Sequence, residues 1–327
     1  MTTEASEPVE QEQLRLITRV AWLYHMRGLK QSQVADVLGL SQSRVSRLLE
    51  SATKLGVVRT TVRTPDGLQL ELEHALTETY GLRDAYVLDV PGANDQDLIR
   101  DLGQFLAAYL AEKPLTGDVV GFTSWSRTLR EAIADMDAMP GGSASYVVEM
   151  LGDVGPPDAQ HEAAEVTRQV ARMLGAQPRF LRVPGVLKSA KGRKALLAND
   201  QHAREALSLL DSVDEALVGI GTCAVDPPLR AGDNFFTLEQ FALAKRLGAV
   251  GQVNLRFIDA DGHAVESELD ELVIGVTLSQ LRACGRTIAV AGGTTKVAAI
   301  RGALLGGWVN TLVTDATTAQ ALVDWSG

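Results

Sequence analysis

Apolar and polar positions follow two rhythms along this chain. Up to about residue 56 the spacing is helical. Leu14, Ile17, Ala21 and Tyr24 share one side of a first helix, and Val34, Ala35 and Leu38 one side of a second. Gly39 stands where a left-handed glycine ends a helix, and Ser41 where a hydroxyl caps the next. In that third helix Val45, Leu48, Leu49 and Ala52 recur at i, i+3, i+4 and i+7. After Gly56 the period drops to two. Val58, Thr60 and Val62 alternate with Arg59, Thr61 and Arg63, which predicts a half-buried strand carrying two cations on its wet side. Two short helices around a turn, a bracing helix before them and this strand after them have the pattern of a winged helix-turn-helix. Thr64-Pro65-Asp66-Gly67 interrupts it and marks a boundary. A helix over Leu70–Tyr80 follows, with Leu72, Ala75, Leu76 and Thr79 along one side, either packed on the body or paired with its copy in a dimer.

From Ala85 onward short apolar runs alternate with amphipathic stretches. Tyr86–Val90, Val119–Phe122, Tyr146–Met150, Arg179–Val183, Glu215–Ile220, Val250–Ile258, Thr287–Ala291 and Thr311–Thr314 are expected strands. Asp97–Ala111, Thr128–Met136, Ala163–Leu174, Leu238–Leu247, Thr295–Leu304 and Thr317–Val323 are expected helices. That alternation implies right-handed crossovers and a largely parallel sheet covered on both faces. The expected fold is α/β, with a winged head at 13–67 and a large Rossmann-like body at 68–327. Asp259-Ala260-Asp261-Gly262-His263 predicts a local hairpin turn outside the parallel scheme.

Charge gives the head a role. From Leu14 to Arg63 nine basic residues face only Asp36 and Glu50, in a chain whose formal net charge is −10. A basic head on an acidic body suits a DNA reader whose remainder should not stick to DNA. The polar side of the third helix carries Gln42, Ser43, Arg44, Ser46 and Arg47, groups that match base edges and phosphates in a major groove. Gln31 on the preceding helix and Arg59 on the wing join them as candidate contacts to double-stranded operator DNA. An ordinary surface helical hairpin is the competing reading. Residues 1–12, acidic and polar, read as a disordered lead-in rather than a targeting signal. No apolar run reaches membrane-spanning length. Cys223 and Cys284, far apart and without C-x-x-C, fit reduced core thiols in a cytoplasmic protein.

In an open parallel sheet ligands bind beyond the carboxyl ends of the strands. Three loops there have suitable chemistry: Gly121–Thr128, Gly219–Thr222 and Ala291–Lys296. Glycine lets the backbone approach an anion, helix amides face it, and threonine hydroxyls with a lysine complete the cradle. None matches the dinucleotide or P-loop fingerprint, and each alone is equally a structural turn. No His stands in triad spacing with Ser or Asp, and the five histidines show no metal-ligand spacing. No cofactor, metal or catalytic residue is expected.

The head sequence LKQSQVADVLGLSQSRVSRLL with GVVRTTV resembles the SorC family of bacterial sugar-responsive transcriptional regulators. So do GFTSWSRTL, LVGIGT, the Val250-Gly251 strand with its DADG turn, and AGGTTKVAAIRGAL with TLVTDATTAQAL. The resemblance implies a body related to sugar-phosphate isomerases and deaminases, catalytically silent, holding a sugar or phosphosugar effector. It also implies dimers pairing into tetramers on palindromic operators. By position it assigns Thr123, Ser124, Thr128, Gly221, Thr222, Gln252, Gly293, Thr294 and Lys296 to the effector. Asp315 joins them, or else caps the last helix. Two departures stand out: Ser126 where the family usually has glycine, and Gln252 where it often has aspartate. Two rivals remain open: a sugar-phosphate isomerase or deaminase fused to a DNA-binding head, and a DNA-organising oligomer with a ligand-free body.

Overall fold

Three helices build the first part of the chain in the computed structural model: α1 (Glu7–His25), α2 (Gln31–Leu38) and α3 (Gln42–Lys54). The described residues are 7–58, 68–90, 94–134, 136–224, 229 and 232–325. They divide into two compact units, Met1–Thr64 and Pro65–Gly327. The wing expected after Val58, with Arg59, lies outside the described residues.

In the first unit Gly39 closes α2 at φ 62°, its N–H reaching Ala35 O and Asp36 O. The Ser41 hydroxyl accepts the Arg44 N–H at 3.3 Å and so caps α3. Ile17, Val20, Ala21, Val34, Ala35, Val45, Leu48 and Ala52 form the core, with Leu49 only partly buried against it. Leu14 departs from expectation and is 47% exposed. Gln13 and Leu16, not Leu14, turn toward Arg44, Arg47 and Leu48 across the groove between α1 and α3. The helix also begins earlier than expected, so Glu7–Glu12 of the predicted lead-in are helical. Pro8 falls in the first turn, where its missing N–H costs nothing.

The second unit is organised by a seven-stranded sheet, parallel throughout, in the order β1-β10-β9-β5-β2-β3-β4. The strands are β1 (Asp84–Leu88), β2 (Val119–Phe122), β3 (Tyr146–Glu149), β4 (Gln177–Arg179), β5 (Glu215–Gly219), β9 (Arg286–Val290) and β10 (Thr311–Asp315). Successive residues feed opposite cores. Val119, Val148, Ala216, Val218, Ala289 and Leu312 enter one cluster, while Val120, Val147, Leu217, Ile288, Val290 and Val313 enter the other. Burial on both faces explains why these strands read as continuous apolar runs. α5 (Asp95–Glu112), α6 (Arg127–Ala134) and α7 (Pro157–Met173) cover one face. α4 (Leu70–Tyr80), α9 (Gln201–Leu209), α12 (Val297–Leu305) and α13 (Ala316–Val323) cover the other. α4 packs on β1 and α13. There Glu73 accepts the Val87 N–H at 3.0 Å, and the Tyr80 hydroxyl donates to Leu322 O at 2.7 Å.

A smaller antiparallel sheet joins β6 (Gly221–Thr222), β7 (Ala249–Val253) and β8 (Arg256–Asp259). Val250–Ile258, expected as one strand, is thus a two-residue hairpin turning at Asn254-Leu255. Both turn residues have positive φ, 48° and 61°, the conformation that matches strand twist in a tight hairpin. The run of β-forming residues hid it, because leucine gives no turn signal. Buried Arg256 holds the hairpin against the segment below, donating to Val276 O, Gly275 O and Asp270 O and to the Asp270 carboxylate. Phe236, Phe241 and Phe257 pack together beside it.

α8 (Ala190–Asn199), α9 and α11 (Leu278–Ala283) were not expected from the pattern. α8 buries none of its residues and α9 buries only Ala203 and Ala206, so neither carries a stripe of large apolar side chains. Leu278 and Leu281 of α11 are buried, but six residues are too few to show a period.

Candidate functional site

The chain leaves β2 toward β3 in one direction across the sheet and leaves β5 toward β9 in the other. The β2–β5 boundary is therefore the switch point of the sheet, where the two crossovers part and open a crevice at the strand ends. A cavity of about 290 Å³ lies there, at the low end of the roughly 300–1,000 Å³ usual for small-ligand sites.

Several segments wall it. From the end of β2 come Thr123, Trp125 and Ser126, then Arg127 and Thr128 in the first turn of α6. The Ser126 hydroxyl accepts the Leu129 N–H at 3.4 Å and so serves as a helix cap. From the end of β5 come Gly219, Ile220, Gly221 and Thr222. The hairpin adds Gln252, Asn254 and Leu255, and Lys296 reaches the wall from just before α12. Among the described lining residues the ionisable ones are Arg127 and Lys296, both cations.

Close packing sets this geometry. Gly221 pairs with Gln252 across β6 and β7, and a Cβ at 221 would stand 2.1 Å from Gln252 Nε2. Gln252 Oε1 accepts the Leu255 N–H at 2.8 Å and braces the turn. A Cβ on Gly251 would meet Ala299 Cβ at 2.3 Å and Ala299 Cα at 2.8 Å, because α12 lies directly against β7.

Thr123, Thr128, Gly221, Thr222, Gln252 and Lys296 thus converge on one cavity. Ser124, Gly293, Thr294 and Asp315 are not among its lining residues. Ser124 is buried, and its hydroxyl lacks a hydrogen-bond partner. Thr294 is exposed. The Gly293 N–H donates to Asp315 Oδ2 at 2.9 Å and Thr318 Oγ1 at 2.8 Å, so that amide is already taken by the protein's own acceptors. Asp315 also accepts from Thr318 N at 2.9 Å and Thr318 Oγ1 at 2.6 Å, which makes it the N-cap of α13. Asn254 and Leu255 escaped the sequence reading because their run looked like unbroken strand. An asparagine in the middle of apolar residues was the one available signal.

Two further clusters lie near the strand ends. Glu149, 1% exposed, accepts Arg182 Nη2 on both carboxylate oxygens at 2.8 Å, with Thr167 Oγ1 and Leu181 N as additional donors. Arg182 Nη1 also lies 3.1 Å from Asp153 Oδ1, without hydrogen-bond alignment. Burial pushes the Asp153 carboxyl up to about 6; Arg182 opposes the rise and Glu149 adds to it. The DADGH turn gathers Asp259, Asp261 and His263 within 4.8 Å, a grouping linear spacing did not reveal. Asp259 Oδ1 there accepts the N–H groups of Asp261 and His263, an ordinary use of aspartate in a turn.

In the first unit Gln42, Ser43, Arg44, Ser46 and Arg47 are all exposed on α3, opposite buried Val45, Leu48 and Ala52. Gln31, the first residue of α2, is half-buried.

Residues 67–324 match the family model described as "Putative sugar-binding domain". The deoxyribonucleoside regulator of Bacillus subtilis is 33% identical over 97% of this chain and 99% of its own length. The sorbitol operon regulator of Klebsiella pneumoniae is 29% identical over 95% and 98%. The crystal structure of the full-length sorbitol operon regulator SorC from Klebsiella pneumoniae superposes with a TM-score of 0.69 over 96% of this chain and 100% of that one, at 27% identity. With its switch-point cavity and with full-length relatives that regulate transcription, the chain belongs to the SorC family of sugar-binding transcriptional regulators.

Proposed function

We propose that the chain is a transcriptional regulator that binds double-stranded operator DNA and whose affinity for it is set by a sugar or sugar phosphate in the switch-point cavity. The observation that carries this reading is the convergence of Thr123, Thr128, Gly221, Thr222, Gln252 and Lys296 on one cavity whose ionisable lining residues, among the described residues, are cations. Hydroxyl, amide and backbone groups suit the hydroxyls of a sugar. Arg127, Lys296 and the amino end of α6 suit a phosphate. α2 and α3 act as a helix-turn-helix, α3 entering the major groove with Arg44 and Arg47. One recognition helix covers too short a site for selectivity in a genome, so the working unit is a homodimer or homotetramer. The relatives' names, a deoxyribonucleoside regulator and a sorbitol operon regulator, fit one scaffold tuned to different carbohydrates.

The effector is bound and released unchanged, in the cytoplasm. Isomerising or deaminating a sugar phosphate requires positioned proton donors and acceptors, and Lys296 and Arg127, the ionisable groups among the described lining residues, make a poor set. Incubation with pentose and hexose phosphates, followed by mass and NMR analysis, should return each compound intact while at least one raises the melting temperature. Turnover would establish an enzyme instead; a panel with neither turnover nor thermal shift would favour a ligand-free body.

A further inference from the structure

Resting on the reading of the cavity as an effector site, we infer that the Asn254 side-chain amide donates to an oxygen of the effector and makes the β7–β8 hairpin tip the specificity element of the site. Asn254 is 4% exposed and lines the cavity. Its Oδ1 accepts the Thr123 hydroxyl at 2.9 Å, which ties the hairpin tip to the end of β2. Its Nδ2 is buried and has no hydrogen-bond partner. An amide donor left unpaired in the interior is costly, and folded chains rarely tolerate one.

The backbone at the same point carries a second cost. Asn254 and Leu255 are the non-glycine residues with positive φ among the described residues. Asparagine adopts that conformation readily; leucine does so at a steric penalty. A turn that had only to reverse the chain would carry glycine at its second position. Leu255 is instead 3% exposed and forms part of the cavity wall. The turn is held there from two sides, by Gln252 Oε1 on the Leu255 N–H and by Thr123 on Asn254. Strain and an unpaired donor thus coincide on one cavity-lining tip, where a ligand oxygen would relieve the second.

This pairing also assigns roles. The Thr123 hydroxyl has one proton and gives it to Asn254, so toward a ligand its side chain can only accept. The donor function passes to Asn254, and Thr123 becomes its positioning residue. With Arg127 and Lys296 on the same wall, the matching oxygen is that of a phosphoryl group, which can accept from an amide and from both cations.

Two variants test this. Asn254→Gly keeps the left-handed turn and deletes the amide. Asn254→Asp keeps the shape and the acceptor for Thr123 but replaces the donor with negative charge. Each full-length protein would be titrated calorimetrically with ribose 5-phosphate, deoxyribose 5-phosphate, glucitol 6-phosphate, glucose 6-phosphate and fructose 6-phosphate, and with the unphosphorylated parents. For a sugar phosphate that wild type binds, Asn254→Gly should weaken binding about tenfold and Asn254→Asp about a hundredfold. Both variants binding within about threefold of wild type would overturn the assignment and leave the cavity reading standing. Asn254→Asp binding as tightly as wild type while Asn254→Gly is weakened would mean that the ligand donates a proton here, which also overturns it. Wild type binding no compound would overturn the sugar-effector reading and this inference with it.

Discussion

Asp315 distinguishes a residue that braces the site from one that touches the effector. Its carboxylate is 4% exposed and accepts three donors: Thr318 N, Thr318 Oγ1 and Gly293 N. Asp315→Ala removes the N-cap of α13, a loss of about 1 kcal/mol. The donor left behind, the Thr318 N–H, is buried, which raises that loss to about 1–3 kcal/mol. Gly293 keeps its second acceptor, Thr318 Oγ1 at 2.8 Å, so its amide adds little. The expected destabilisation of the effector-free body is therefore about 1–3 kcal/mol. Urea unfolding followed by tryptophan fluorescence reads this, since Trp125 and Trp308 are buried in the body. A change below about 0.5 kcal/mol, within the range of surface substitutions, together with lost effector affinity, would refute the bracing role and make Asp315 a direct ligand.

Other substitutions probe the remaining parts. Arg44→Ala should lower operator affinity by about 1–3 kcal/mol in a fluorescence-anisotropy titration if it reads a base; unchanged affinity would mean that α3 is not the reader. Gly251→Ala should destabilise the body by about 1–3 kcal/mol or more, because its Cβ would collide with Ala299 Cα and Cβ, which cannot swing aside; an unchanged urea midpoint would contradict that packing. Burial holds the Asp153 carboxyl at about 6, above the 3.8 of a free aspartate, so its contribution to stability is present below about pH 4 and lost as pH rises through 6. Asp153→Asn should flatten that slope and stabilise the body at pH 7 by about 1–2 kcal/mol after discounting for solvent and Arg182; an identical slope in both proteins would rule the residue out as its source.

Much of this was legible where a periodic pattern met a special residue. Gly39 and Ser41 announced the α2–α3 turn because a left-handed cap and a hydroxyl cap are local necessities. Strands buried on both faces announced the parallel sheet. The three loops expected to hold a ligand do lie at the carboxyl ends of β2, β5 and β9, and residues of each reach one cavity wall. Sequence could not show which members of those loops face inward. Gly293 and Asp315 share the motif with Lys296, yet their polar groups satisfy each other, a matter of tertiary pairing across separate strands. The turn at Asn254-Leu255 was illegible for another reason: the fold overrides the preference of leucine for extended backbone. α8 went unseen because a helix that buries nothing leaves no stripe.

The central claim is that an anionic sugar in the switch-point cavity controls DNA binding. Its most direct test is the affinity of the full chain for an operator selected from random DNA, followed as sugar phosphates are added, wild type beside Lys296→Ala. At least one compound should change operator affinity about tenfold or more. In Lys296→Ala the midpoint of that response should move to about ten- to a hundredfold higher concentration, the loss of one charge-assisted contact, while effector-free operator affinity stays the same. No response to any compound, or an unshifted midpoint in Lys296→Ala, would contradict the account.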